Sequence, residues 1–158
     1  MSDEGQLTHL DARGRARMVD VTGKAVTARR AVARCVVRAS EEAVRSLAGL
    51  PDTLPFARAA GVQAAKRTAD LIPLCHPLPI DDIDVRIELA GPGELAVTAT
   101  ATVADRTGVE MEALTACGVA GLTVAMALLP VDPEARVDAL TLWHKSGGRS
   151  GTWSRDRA

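Results

Sequence analysis

A histidine lies between prolines in the segment Leu74-Cys75-His76-Pro77, where its side chain could take part in proton transfer. Proline restricts the backbone around it, and imidazole is the side chain best suited to exchanging protons near neutral pH. A histidine that only donates a hydrogen bond to carbonyl groups of the loop would give the same pattern. No base is evident for Cys75, so this cysteine is interpreted as a small packing residue rather than a nucleophile.

Two glutamates, Glu110 and Glu112, open a long apolar segment that Pro130 stops. If this segment is a helix, its first turn could direct a carboxylate and free backbone amides into one pocket. Acidic residues also occur in first turns simply because they interact favourably with the helix dipole. A third acid, Asp20 in the sequence MVDVTGK, has two interpretations: a buried acid paired with Lys24, or a turn residue.

Basic residues occur in two places where they could bind phosphate. Lys66 and Arg67 are adjacent, and Lys145 and Arg149 flank glycines in the sequence KSGGRSG, where backbone amides could approach an anion. The glycine-rich segment lacks the spacing of a nucleotide-binding P-loop, and no helix follows it. Each place also has a simpler explanation, an exposed basic pair in the first case and a flexible tail in the second.

The first half of the chain contains the patterns of one strand and two helices. Residues 25–39 alternate β-branched residues with arginines, which favours a strand over the competing helix. Ser40 followed by two glutamates is typical of a helix start, and this helix should end near Gly49. Pro55 suits the first turn of a second helix, which we expect to continue to Asp70.

The second half begins with the clearest strand pattern. Apolar and polar residues alternate over 83–89 and again over 95–103, and the turn at 91–93 should join them into a hairpin with one buried face. The apolar segment from Val109 to Leu129 predicts a buried helix rather than a membrane span, because its uncharged part is short and rich in Ala, Gly and Thr. Residues 137–142 suggest a last strand.

This order of elements is a βαββαβ unit with one extra helix. It predicts an α+β protein with a ferredoxin-like two-layer sandwich, in which a four-stranded antiparallel sheet packs against helices. The expected organisation is an N-terminal arm over 1–24, a single ferredoxin-like domain over 25–151 and a C-terminal tail over 152–158.

Composition and charge narrow the class of protein. The formal net charge is −1 with acids and bases interspersed, which argues against nucleic acid or a membrane surface as a partner. The N-terminus has no apolar run like that of a secretory signal, so we expect a cytoplasmic protein. Cys35, Cys75 and Cys117 are odd in number and widely spaced, which predicts free thiols rather than disulfides or a metal site.

Five segments together carry a specific resemblance: LTHLD, MVDVTGK, AGVQAAKRTADLIPLCHPLP, TGVEMEALTACGVA and KSGGRSG. In this order and spacing they resemble the cyclic pyranopterin monophosphate synthases, over nearly the whole chain. The resemblance implies a ferredoxin-like subunit that forms dimers and assembles into a homohexamer, a trimer of dimers, with a pocket at the dimer interface. It also implies a GTP-derived substrate, 3',8-cyclo-7,8-dihydro-GTP, which is rearranged to the pyranopterin while its triphosphate yields a cyclic phosphate and pyrophosphate.

The resemblance also assigns roles. Rearranging the rings needs proton donors and acceptors, and the phosphates need cations. The implied catalytic residues are His76, Glu112, Asp20 and Lys66. The implied substrate-binding residues are Leu74, Cys75, His76, Glu110, Met111, Glu112, Arg67, Lys145 and Arg149. We expect no protein-bound metal or organic cofactor, although Mg²⁺ accompanying the substrate phosphates is compatible with this chemistry.

Three positions depart from the family pattern. The family has a catalytic Asp and a Lys after the segment ALTACGVAGLTV, where this chain has Met126 and Leu129. A further family Lys aligns with Leu50. Methionine cannot exchange a proton and leucine cannot neutralise a phosphate, so two alternatives stay open: a catalytically silent subunit that binds the ligand or co-assembles with an active homologue, and an enzyme acting on a related purine-derived substrate.

Overall fold

Five strands form one antiparallel sheet in the computed structural model, which describes residues 9–11 and 13–155. The strands are β1 (Thr27–Arg38), β2 (Asp82–Gly91), β3 (Glu94–Asp105), β4 (Arg136–Ser146) and β5 (Trp153–Ser154), in the spatial order β2-β3-β1-β4-β5. The predicted hairpin is confirmed, since β2 and β3 pair directly. The prediction of four strands is wrong, because β5 pairs with the end of β4.

In the described part of the chain, four α-helices lie between the strands: α1 (Glu41–Ser46), α2 (Thr53–Lys66), α3 (Thr68–Leu71) and α4 (Glu110–Leu128). Ser40 starts α1 as predicted, and its Oγ accepts a hydrogen bond of 3.2 Å from the Ala43 backbone N–H. A 3₁₀ turn extends α1 to Gly49. The predicted second helix begins two residues earlier and breaks at Arg67, whose backbone leaves the helical conformation.

The core lies between one face of the sheet and the helices α2 and α4. Alternate residues of β1 and β3 point into it, which is the period-two pattern of a strand with one buried face. The buried side chains are mostly Ala and Val. Gly61 of α2 lets the two helices approach closely, because a Cβ there would lie 2.8 Å from the Ala116 carbonyl oxygen of α4.

The helix α4 is long and apolar enough to meet the composition criteria of a membrane span, but half of that window is buried inside the protein. It packs against β1, β3, β4 and α2, and the acidic residues Glu110 and Glu112 occupy its first turn. The prediction of a buried core helix therefore agrees with the structure. The predicted arm and tail fall partly outside the described residues, at 1–8, 12 and 156–158.

Candidate active site

The first turn of α4 carries two carboxylates, Glu110 and Glu112, and each contacts a different side chain. Val109 precedes the helix and supplies no side-chain cap to its free backbone amides. Glu112 is only 2 % exposed, although a carboxyl group is rarely buried to this extent without a partner. Its Oε1 atom accepts a hydrogen bond of 3.5 Å from Cys75, and its Oε2 atom is buried without a hydrogen-bond partner among the described residues.

Burial raises the pKa of Glu112, because the charged form loses its hydration, and the nearby Glu110 carboxylate adds to the effect. Hydrogen bonds from Cys75 and from the Glu112 backbone N–H oppose the shift. A carboxyl group with a raised pKa and one free oxygen can hold a proton and donate it to a substrate atom. Glu112 thus has the properties of a general acid.

The proline-rich loop before β2 brings its own side chains to this turn. Leu74 has a left-handed backbone conformation, with φ of 65°, which a branched side chain rarely adopts outside constrained loops. Burial, followed by the charge of Glu112, raises the pKa of Cys75 to about 11. The thiol is therefore protonated at neutral pH and donates to Glu112, which agrees with the interpretation of Cys75 as a non-nucleophile. His76 follows it and is half-buried.

The glycine-rich segment after β4 meets the same turn from the other side. Lys145 Nζ lies 3.4 Å from Glu110 Oε1, and both side chains are about one-third exposed. Gly147 and Gly148 have positive φ angles of 95° and 71°, and a Cβ at Gly147 would overlap the Ala28 carbonyl group. The glycines are thus required by the tight turn over the start of β1. A narrow cleft remains between this segment and the start of α4.

The other predicted site residues are exposed on the protein surface. Met111 is exposed between the two glutamates, Lys66 and Arg67 are exposed at the end of α2, and Arg149 is exposed in the glycine-rich segment. Asp20 lies apart, on an exposed turn. Its Oδ1 accepts hydrogen bonds from the backbone N–H and the hydroxyl of Thr22, at 2.9 and 2.8 Å, and these bonds lower its pKa.

The interpretation of Asp20 as a buried acid paired with Lys24 is therefore wrong, and the turn interpretation is confirmed. An aspartate that accepts two local hydrogen bonds needs no buried partner. Among the described residues, no group of three or more His, Cys, Asp or Glu side chains is arranged to hold a metal ion.

Comparison with known proteins shows the family of this chain. Residues 18–148 match the MoaC family. The chain belongs to the MoaC family. It is 52% identical over 155 residues to cyclic pyranopterin monophosphate synthase 2 of Mycobacterium tuberculosis, covering 96% of this chain and 92% of the relative. Cyclic pyranopterin monophosphate synthases of Nocardioides sp. and Thermomicrobium roseum are 51% and 49% identical, covering 98% and 96% of this chain and 99% and 94% of each relative.

The three positions that the sequence resemblance marks as departures from the family pattern lie on the surface of this MoaC-family chain. Met126 and Leu129 are 59 % and 44 % exposed near the end of α4, and Leu50 is exposed after the 3₁₀ turn. Met126 follows Glu112 by fourteen residues, which corresponds to about 21 Å along a helix that rises 1.5 Å per residue. Within one chain, Met126 is therefore remote from the cluster of Glu112 and Cys75.

The sequence patterns did not single out Arg29 as a functional residue. It lies on the core-facing side of β1, in phase with Ala31, Ala33 and Cys35. Its guanidinium donates to the backbone carbonyls of the segment that leads into α4. The sequence contained a signal for this position, because residues two apart in a strand share one face and Arg29 is two residues before the apolar series Ala31, Ala33 and Cys35.

Proposed function

We propose that this chain is a cyclic pyranopterin monophosphate synthase that converts 3',8-cyclo-7,8-dihydro-GTP to cyclic pyranopterin monophosphate and pyrophosphate, in molybdenum cofactor biosynthesis. The observation that supports this most is the buried carboxyl of Glu112, which contacts Cys75 through one oxygen and has no hydrogen-bond partner among the described residues for the other. The names of its relatives and its membership of the MoaC family point to the same activity. We expect the enzyme to act in the cytoplasm.

The ring rearrangement needs groups that give and take protons. Glu112, with its raised pKa, is the proposed donor, and the imidazole of His76, which follows Cys75 in the chain, is the proposed acceptor. Leu74, Cys75 and Met111 would shape the pocket around the purine-derived rings. Asp20, whose carboxylate is exposed on its turn, is the proposed third group for proton transfer.

The phosphate step needs positive charge. Formation of the cyclic phosphate requires a substrate hydroxyl to attack the α-phosphate, and the bond to the β-phosphate breaks as pyrophosphate leaves. The negative charge that accumulates on the leaving group would be stabilised by Lys66, Arg67, Lys145 and Arg149. Glu110, in contact with Lys145, would hold that ammonium group in place until the phosphates arrive.

A second subunit is part of the proposal. The strand order β2-β3-β1-β4, with helices on one face, supports a ferredoxin-like subunit, to which β5 adds an edge strand. Since Met126 lies about 21 Å along α4 from Glu112, a pocket that uses both ends of this helix needs two copies of the chain. The exposed apolar residues Leu122, Met126 and Leu129 would be covered in a homohexamer built as a trimer of dimers.

A different function is favoured by one observation. The exposed side chains at the positions of the family Asp and Lys are apolar, Met126 and Leu129, and neither can perform acid–base or phosphate chemistry. A catalytically silent or repurposed paralogue would retain Glu112 and His76 for binding a purine-derived phosphate ligand, or would co-assemble with an active homologue.

The deciding experiment measures pyrophosphate release and pyranopterin formation from freshly prepared 3',8-cyclo-7,8-dihydro-GTP. We expect turnover by the unaltered chain. In Glu112→Gln we expect the turnover rate to fall on the order of 10²- to 10⁴-fold, because that change removes an acid without changing the shape of the side chain. A Met126→Asp, Leu129→Lys variant serves as comparison. No turnover by the unaltered chain, with tight substrate binding and activity only in the double variant, would favour the silent paralogue.

A further inference from the structure

Arg29 holds the segment that leads into α4. Its Nε donates to the Asp105 carbonyl oxygen at 2.9 Å, and its Nη2 donates to the Arg106 carbonyl oxygen at 3.0 Å. These two carbonyls are consecutive and lie just before Gly108, Val109 and the first turn of α4. The planar, forked guanidinium can bond both at once, which fixes the direction in which the chain enters the helix.

The same guanidinium supports the glycine-rich segment. Gly148 lies directly against it, and a Cβ at this position would overlap Nη1, Cζ and Nη2 of Arg29. At the neighbouring Gly147, an added Cβ would likewise overlap the backbone of Ala28. Arg29 therefore lies between two segments that are about forty residues apart in the chain, and it touches both.

Each of these segments carries one member of an ion pair. Glu110 follows the segment bonded by Arg29, and Lys145 precedes the glycines that lie on it, so the contact of 3.4 Å between the two side chains depends on both segments. Arg29, Glu110, Lys145 and Gly147 all line the narrow cleft between them.

We propose that Arg29 is a positioning residue, which holds the start of α4 and the glycine-rich segment at the separation that sets the contact between Glu110 and Lys145. The effect on phosphate binding rests on the function proposed above, whereas the effect on the two segments does not. Lysine should replace Arg29 only in part, because its ammonium group lacks the planar, rigid fork that donates to both carbonyls and contacts Gly148.

Hydrogen–deuterium exchange on the full chain tests the structural half of the proposal. In Arg29→Met and in Arg29→Lys, we expect the backbone amides of residues 106–112 and 146–150 to exchange roughly tenfold faster, with α2 unchanged. Arg58→Met is the matched control, since Arg58 is exposed on α2. Unchanged exchange at both segments in Arg29→Met, or a uniform rise over the whole chain, would overturn the proposal.

Binding of inorganic pyrophosphate, measured by calorimetry, tests the coupling to Lys145. We expect Arg29→Met to weaken binding roughly threefold or more, and to have little further effect in a Lys145→Ala background, because the two residues act through one contact. An equal effect in both backgrounds would contradict the coupling. If the unaltered chain binds no pyrophosphate, the proposed phosphate site is wrong, and the exchange experiment still decides the role of Arg29.

Discussion

The Cys75 sulfur donates a hydrogen bond of 3.5 Å to Oε1 of Glu112, so a thiol from the proline-rich loop and a carboxyl from the first turn of α4 share one contact. The two groups influence each other in opposite ways. The carboxylate raises the pKa of the thiol, while the hydrogen bond from the thiol lowers that of Glu112, against the larger effect of burial. Both groups therefore remain protonated to a higher pH than their ordinary values imply.

The stability of the protein should depend on the ionisation of Glu112. Its pKa is raised in the folded state, so the folded chain binds this proton more tightly than the unfolded chain, and stability falls as pH rises above the unfolded value near 4.5. We expect Glu112→Gln to remove this fall, because the amide does not ionise. The check is the thermal unfolding midpoint of both proteins from pH 4 to 8. Parallel curves over the whole range would contradict the raised pKa.

The Cys75 thiol should react slowly with alkylating reagents. With a pKa of about 11, its thiolate fraction at pH 8 is on the order of 100-fold below that of an ordinary cysteine. We expect a correspondingly slow rate with iodoacetamide, measured by mass spectrometry of the native protein, and a faster rate in Glu112→Gln. Cys75→Ser identifies the modified site, since Cys35 and Cys117 are buried. A rate equal to that of free cysteine would show that the thiol is not suppressed.

The contact between α2 and α4 should tolerate no added methyl group. A Cβ at Gly61 would lie 2.8 Å from the Ala116 carbonyl oxygen and 3.1 Å from the Ala120 Cβ, so Gly61→Ala must separate the helices. We expect a loss of about 1–3 kcal/mol in the free energy of unfolding, measured with urea. Gly49→Ala is the matched control, because a Cβ there meets no atom within 4 Å. Equal stability of the two variants would mean that the helices can move apart freely.

Local patterns in the sequence predicted most of the fold. The alternation in β2 and β3 fixed a hairpin with one buried face, and Ser40 marked a helix start through a hydrogen bond within four residues. The strand β5 could not be predicted, because two residues carry no period and their pairing depends on the end of β4. The sequence therefore specifies the elements that carry a local signal, either a repeated alternation or a capping residue.

The candidate site was predicted as a set of residues but not as contacts. The approach of Cys75 to Glu112 joins positions 37 residues apart, so only the packing of the loop against α4 reveals it. Asp20 shows the reverse, since its carboxylate accepts hydrogen bonds from Thr22, two residues further on, and needs no buried cation. The role of Arg29 could not be predicted from its position in β1 alone, because it also depends on how the segment before α4 and the glycine-rich segment pack against it.

The close approach of α2 and α4 at Gly61 also limits how the protein can evolve. Glu112 is carried by the same rigid helix as Ala116 and Ala120, one turn and two turns further on, so a larger side chain at this contact would displace the carboxyl together with the helix. Natural variants with bulkier residues at these positions would lose the geometry of the pocket before they lost the fold. Selection for the chemistry then acts on residues that never meet a substrate.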